Sequence, residues 1–458
     1  MVALKNIASL ALLLAQSATV QSMDLDSREG ILDASKALAG DLIEFYKGNK
    51  SGETPGLLDP MNTLRDGYYW YQSGAFMSAY VDYWQLTGDD TYNDLVREGL
   101  EWQLGKDKDF MPTNQTASMG NDDQAIWAMA AMSAAEYGFP APTDKKTQWY
   151  DVAKNAWDTM RERWDIEDKS EICYGGLRWQ IFTFNTGYDY KSTLPNALFL
   201  NLGARIYRWA ESDAVAVADY VTMAYTWLEE RQLIDDKTSA VYDGGHAIDN
   251  CTTISKVQWS ANAASLSMGL AYFYNATGES SEPSMWKDAV EELTTMTLKT
   301  FFTKDGKFKE VACTKDTCPR DILTYKALTH RWLAVTAQLA PFLSEKIIPV
   351  LRKSAKSLQA EGDGKDALEQ KLANFAVVSN LLIPDAPSPM KQKDAKTKTE
   401  EDSSDATSST TGSATSSATS TGAAAEATVP EDSSANSLAG SGSVLVLSVL
   451  VAAAQWLL

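Results

Sequence analysis

Apolar residues along this chain recur with a helical period. Between residues 26 and 382 they return at i, i+3, i+4 and i+7 in about twelve segments. These predict helices near 28–47, 68–86, 91–104, 122–137, 146–164, 193–209, 213–233, 257–274, 284–302, 322–338, 343–359 and 366–379. The even-numbered segments are apolar on nearly every face and rich in Ala, Gly, Ser and aromatics, as in Gly74-Ala75-Phe76-Met77-Ser78-Ala79. The odd-numbered ones carry a charged stripe, such as Asp94, Arg97, Glu98 and Glu101. A helix apolar all round belongs inside and an amphipathic one outside. Connections after even segments are short, whereas 105–121, 165–192 and 234–256 are long. The pattern predicts an all-α (α/α)6 toroid of six inner and six outer helices, its long loops gathered at one end. Two stacked helical domains are the competing reading. Runs at 176–184, 242–248 and 308–313 predict small β-hairpins walling a cleft. A weak repeat, Thr87-Gly88-Asp89 and Thr277-Gly278-Glu279, follows an aromatic run at the end of two even helices.

The two ends of the chain read differently. Residues 1–22 have Lys5, an apolar stretch at 7–15 too short to span a bilayer, and Val20 and Ser22 placed for cleavage before Met23, the form of a secretory signal. Residues 444–458 are apolar and uncharged. Small residues from Ser433 and a short spacer precede them, so 433–458 reads as a GPI-attachment signal with Ser433 as the attachment site and the tail removed. Between them, 386–432 is dominated by Ser, Thr, Ala, Asp and Lys and reads as a disordered stalk. The globular domain is then 23–385. Sequons at Asn49, Asn114, Asn250 and Asn275 fit the secretory route. The four cysteines suggest two disulfides. Cys313 with Cys318 is the easiest closure, which leaves Cys173 with Cys251.

Charge and composition narrow the chemistry. Of 458 residues, 61 are Asp or Glu against 41 Lys or Arg, a net charge of −20, which argues against nucleic acid as a partner. His246 and His330 are the only histidines, so a His-rich metal site is nearly excluded; no metal and no cofactor is expected. GxSxG, GxGxxG and GxxxxGK[ST] runs are absent. Asp, Glu, Trp and Tyr remain, the residues of carbohydrate chemistry.

The most informative run is Gly120-Asn121-Asp122-Asp123-Gln124, which opens the fourth segment at the end where long loops gather. Gly120 suits a sharp turn, Asn121 an N-cap, and Asp122 and Asp123 the first turn, where aspartate is also common simply because it complements the helix dipole. Glycosidic cleavage needs two carboxyls in different protonation states. Neighbouring carboxylates resist double ionisation, which pushes one pKa up. Side chains of adjacent helical residues diverge by about 100°, so they must converge through rotamer choice.

Asn121-Asp122-Asp123-Gln124, Tyr69-Trp70-Tyr71-Gln72-Ser73-Gly74, Gly175-Gly176-Leu177-Arg178-Trp179 and Tyr190-Lys191-Ser192-Thr193-Leu194-Pro195-Asn196 resemble glycoside hydrolase family 76, the endo-α-1,6-mannanases, and within it the fungal GPI-anchored branch. The resemblance implies an (α/α)6 fold and a retaining mechanism with Asp122 as nucleophile and Asp123 as general acid/base. It also implies action on α-mannosides, the GPI glycan core among them, with transfer to an acceptor wall glucan. The protein would be a monomer held by its GPI lipid on the outer face of the plasma membrane or in the cell wall. Bacterial members carry a Tyr-Asn-Gln-Gly type run where this chain has Gln258-Trp259-Ser260-Ala261-Asn262.

Sugar contacts are expected from Trp70, Tyr71, Trp127 and Trp179 by stacking, and from Asn185, Lys191, Asn196, Asp243, Gln258 and Asn262 through hydroxyls, with core packing the alternative for each aromatic. Asp66, Asp82 and Asp189 read as caps or supporting groups, and His330 as a core or cap residue. The rival functions are a non-catalytic mannan- or GPI-glycan-binding wall protein, and a glycosidase of another specificity on the same fold.

Overall fold

The computed structural model describes residues 23–59, 67–165, 173–210, 215–278, 284–313, 318–361 and 368–395. The signal segment, Asp66, the chain beyond 395 and the attachment signal with Ser433 lie outside the described residues.

Twelve α-helices of ten residues or more occur among the described residues: α1 Arg28–Ile43, α2 Trp70–Thr87, α3 Asn93–Trp102, α4 Asn121–Tyr137, α5 Trp149–Asp165, α6 Thr193–Ala210, α7 Val215–Glu230, α8 Ser260–Thr277, α9 Ser284–Phe301, α10 Tyr325–Leu339, α11 Ser344–Glu361 and α12 Leu368–Ser379. The even helices pack each on the next, from α2 round to α12 and back to α2, which closes an inner ring. Each odd helix lies outside: α3 on α2, α5 on α4, α7 on α6, α9 on α8, α11 on α10, and α1 on α12. This is the expected (α/α)6 toroid, in which the first helix completes the last pair.

The inner helices lack polar stripes because every face meets protein. Ser260 to Phe273 of α8 is buried without a break. Small residues let these helices approach: a Cβ on Gly269 would lie 2.8 Å from the Asn201 Cα of α6, and one on Gly74 of α2 3.0 Å from the Trp127 ring of α4. Both repeat positions end inner helices at glycines of positive φ, Gly88 at 74° and Gly278 at 67°.

The two ends of the ring differ. Below the mouth, in the later turns of α2, α4 and α6 and the middle of α10, Arg205 pairs with Glu136 at 2.6 Å and Arg331 with Asp82 at 2.6 Å, all four buried. Asp82 is thus an ion-pair partner rather than a cap. The chain runs on past the expected boundary at 385 along the C-terminal ends of the inner helices. Gln338 donates to the Ala386 carbonyl at 2.8 Å, Gln85 to that of Pro387 at 3.1 Å, and the Met390 amide to the Glu136 carbonyl at 2.8 Å. These bonds hold residues 386–390 on the domain.

At the opposite end the inner helices begin, and the long connections gather. The strands β1 Tyr190–Ser192, β2 Gly244–His246 and β3 Ile254–Ser255 form one antiparallel sheet in that order, with Lys191 opposite Gly245 and Gly244 opposite Ser255. The run at 242–248 therefore forms part of a hairpin. Those at 176–184 and 308–313 contribute only the isolated bridges Gly120–Gln180 and Phe302–Phe308. In the first, Gly175 and Gly176 take positive φ and residues 182–188 turn, so β1 supplies the pairing edge instead. The cysteines pair Cys173–Cys251, joining the loops around the sheet, and Cys313–Cys318. Asn49 and Asn114 stand on exposed turns, and Asn250 in a turn at φ 57°. Asn275 lies within α8, its amide accepting from Arg208 Nε at 2.8 Å and donating to the Leu339 carbonyl at 3.2 Å.

Candidate active site

The start of α4 carries the site. Gly120 is extended there, at φ −87° and ψ 162°, so glycine is required for room rather than for an unusual turn. A Cβ at this position would collide with Asp122 Oδ1 and press on Asp123 Oδ2. The two carboxyls thus share a space that one methyl group would bridge. Gly120 is also the N-cap, and Asn121 is already helical. The Asn121 side chain is used elsewhere: Nδ2 donates to the Arg178 carbonyl at 2.9 Å, and Oδ1 accepts from Arg163 Nε at 2.7 Å. With the Asn121 amide on the Trp179 carbonyl at 2.8 Å, these bonds sew the segment around Trp179 to the head of α4.

Each aspartate is then individually fixed. Asp123 Oδ2 accepts from the Gly120 amide at 2.7 Å. Asp122 Oδ1 accepts from the Asp123 amide at 3.1 Å, and its Oδ2 from the Trp179 indole at 3.1 Å. Burial is the main force on both, and it raises both pKa values. Hydrogen-bond donors restrain Asp122, which reaches about 6, with Asp243 adding a small upward push. Asp123 is pushed well above the usual range by burial, then by the Asp122 charge, with Asp321 adding to it. Both carboxyls are thus pushed upward, Asp123 the more so because it also meets the Asp122 charge.

Three further acids surround them. Asp243 accepts from Tyr190 OH at 2.8 Å and from the Trp259 indole, and burial raises its pKa. Asp321 precedes α10; its carbonyl accepts from Tyr71 OH at 3.0 Å, and its carboxyl is also raised by burial. Glu310 is pushed up to about 7 by burial. Tyr325, the first residue of α10, faces Asp122, Asp321, Asp243 and Glu310.

The structure divides the expected sugar contacts. Trp179, Tyr71 and Asp243 belong to the site. Gln258 precedes α8 at the mouth, and Asn185 bonds Gln180 at 3.1 Å on the rim. Asn262 is 1% exposed, with neither amide atom paired to a protein group. Four expectations fail. Trp70 and Trp127 are buried, stacked on each other at 5.2 Å, their indoles donating to Gln103 and to the Trp70 carbonyl. Lys191 is 0% exposed and donates to the carbonyls of Cys173 and Gly175 at 2.8 and 2.6 Å. Asn196 is equally buried and exchanges hydrogen bonds with the Leu177 backbone. Asp189 supports the rim, accepting from the Ile248 amide and contacting His246, both at 2.8 Å. His330 is a core residue between the Lys326 carbonyl and Ser354, and burial pushes its pKa down to about 3. Sequence reasoning missed Tyr69, Tyr190, Trp259, Glu310, Asp321 and Tyr325. Their one shared cue is a position just before or at the start of an inner helix or on a long connection.

A double helical ring with two adjacent buried carboxyls at its loop-bearing mouth is the architecture of an (α/α)6 glycoside hydrolase. The match to known proteins makes this specific. The chain belongs to glycosyl hydrolase family 76, whose family model matches residues 30–393. Mannan endo-1,6-alpha-mannosidase DCW1 of Candida glabrata is 37% identical over 75% of this chain and 74% of its own length, and its Saccharomyces cerevisiae counterpart likewise. Among solved structures, Dfg5 from Chaetomium thermophilum in complex with glucosamine is 42% identical with a TM-score of 0.76, over 81% of this chain and 95% of that one. The GH76A alpha-1,6-mannanase of Salegentibacter sp. HEL1_6, at 15% identity and a TM-score of 0.59 over 77% of this chain and 98% of that one, shares the fold.

Proposed function

We propose that this chain is a retaining endo-α-1,6-mannosidase that also transfers, cutting α-mannosides of the GPI glycan core and passing the mannosyl donor to a wall glucan. The observation that carries the reading is the Asp122–Asp123 pair, two buried carboxyls close enough that a Cβ on Gly120 would meet both, with Asp123 pushed up further than Asp122. Retaining cleavage needs two carboxyls about 5–5.5 Å apart, and carboxyls that a methyl group would bridge suit it. Asp122 attacks the anomeric carbon as Asp123 gives its proton to the departing glycosidic oxygen. Asp123, now ionised, takes the proton of the incoming hydroxyl as the covalent bond to Asp122 breaks. Water at that step gives hydrolysis, and a sugar hydroxyl gives transfer.

The mannan-directed names of the fungal relatives support the substrate class, and glucosamine in the Chaetomium complex supports acceptance of an amino sugar. An amino sugar's ammonium suits a mouth that carries Asp243, Glu310 and Asp321 besides the catalytic pair. The terminal segments support placement as a GPI-anchored glycoprotein on the outer face of the plasma membrane. The test incubates the protein with an α-1,6-mannose oligosaccharide, with and without a glucan acceptor, and follows the anomeric configuration by NMR. An α-configured first product supports the reading; a β-configured one excludes retention. A mature protein still carrying residues 444–458 by mass spectrometry excludes the anchor.

A further inference from the structure

Glu310 is held more tightly than its place on a loop requires. Helix α8 opens at Ser260 after Trp259, whose side chain makes no capping bond. Glu310, from the connection between α9 and α10, supplies what is missing. Its Oε1 accepts from the Ser260 amide at 3.0 Å and its Oε2 from Ser260 Oγ at 2.5 Å. Thr329 of α10 donates to the same Ser260 hydroxyl at 2.8 Å. The Glu310 backbone is fixed in turn: its carbonyl accepts from the Cys313 amide at 3.1 Å, beside the Cys313–Cys318 disulfide, and the Lys309 amide bonds the Phe301 carbonyl at 2.9 Å. One carboxyl thus caps a helix to which it does not belong and joins α8, α10 and the α9–α10 connection at a point. The residue before that point, Trp259, donates its indole to Asp243, which Tyr190 holds from the other side at 2.8 Å and whose charge bears on Asp122.

We propose that Glu310 is a positioning residue for the glycosidase reaction: by capping α8 from outside it fixes Trp259, and through it Asp243 beside the nucleophile. The proposal rests on the mannosidase reading above. Misplacing groups near reacting atoms by an ångström costs about a hundredfold in rate, so loss of this brace, which shifts them less, is expected to cost about tenfold. The test compares wild type with Glu310→Gln, Ser260→Ala and the double variant in the full chain, using α-1,6-mannotetraose as the probe. Glu310→Gln lowers kcat about tenfold with KM within about twofold, and the double variant is no slower than Glu310→Gln, because both act through one contact. Ser260→Ala carries the same test should Glu310→Gln fail to fold. Hydrogen exchange at the Ser260–Asn262 amides, read without substrate, accelerates in Glu310→Gln. An unchanged kcat, kcat losses that multiply in the double variant, or unchanged exchange overturns the proposal. A mannosidase reading that is itself wrong shows separately, as wild type inactive on the probe, and the exchange result still decides the cap.

Discussion

Trp179→Phe isolates the part of the site that keeps Asp122 charged. The indole donates to Asp122 Oδ2 at 3.1 Å, and phenylalanine keeps an aromatic face while deleting the donor. A hydrogen bond to a charged acceptor contributes about 1.5–3 kcal/mol. Trp179 is 40% exposed, so water recovers part of the loss and the lower figure applies. At about 1.36 kcal/mol per pKa unit, losing the bond raises the Asp122 pKa by about one unit from its value of about 6. A nucleophile must be ionised, so the acid limb of kcat/KM moves to higher pH by about one unit, and activity well below that limb falls roughly tenfold. The assay is kcat/KM against pH on an α-1,6-mannose oligosaccharide. An acid limb that stays in place, or moves to lower pH, refutes the assignment of Asp122 as the charged member stabilised by Trp179.

Asp122→Asn abolishes formation of the covalent intermediate, whereas Asp123→Asn slows cleavage of natural substrates and much less so that of a substrate with an activated leaving group, which needs no proton; burst kinetics separate the two. A buried acid whose folded pKa is raised destabilises the fold as pH climbs from its unfolded value, near 3.8, through the folded one. Thermal unfolding should therefore show Asp123→Asn gaining on wild type at neutral pH and not near pH 4. Lys191→Met leaves the Cys173 and Gly175 carbonyls short of a donor, at about 1–3 kcal/mol for each stranded group; it lowers the melting temperature without altering KM, and a KM change instead would return Lys191 to the cleft. Glycopeptide mass spectrometry of the secreted protein should find glycan at Asn49 and Asn114 and none at Asn275, whose amide is already engaged by Arg208 and the Leu339 carbonyl.

The ring was legible because its signal is local, and so was the place of Asp122 and Asp123 at the head of an inner helix. Apolar periodicity sorted inner helices from outer ones, and Gly-Asn-Asp-Asp marked the start of one of them, although first-turn aspartates also serve the helix dipole. Which aromatic reaches the cleft was not legible. Trp70 and Trp127 sit in the same motifs as Tyr69 and the aspartates, yet a helix in a closed ring turns one face to its neighbour and another to the axis, and composition does not tell them apart. Lys191 shows the same limit in a strand. Side chains alternate across a sheet, so Tyr190 reaches Asp243 while its neighbour Lys191 points into the core. Glu310 and Asp321 come from connections that meet the site only after the ring closes, and nothing in their local sequence marks that encounter.

The course of residues 386–390 marks the end of the ring opposite the aspartates. Pro387 and Met390 are bonded at the C-terminal ends of α2, α4 and α6, while Asp122 and Asp123 lie where those helices begin. An inner helix of 18 residues is about 27 Å long, so roughly that distance separates the segment at Pro387–Met390 from the mouth that carries Asp122 and Asp123. Substitutions or bulky labels along 386–390 therefore probe the far end of the ring alone, a helix length away from any sugar chain bound at the mouth.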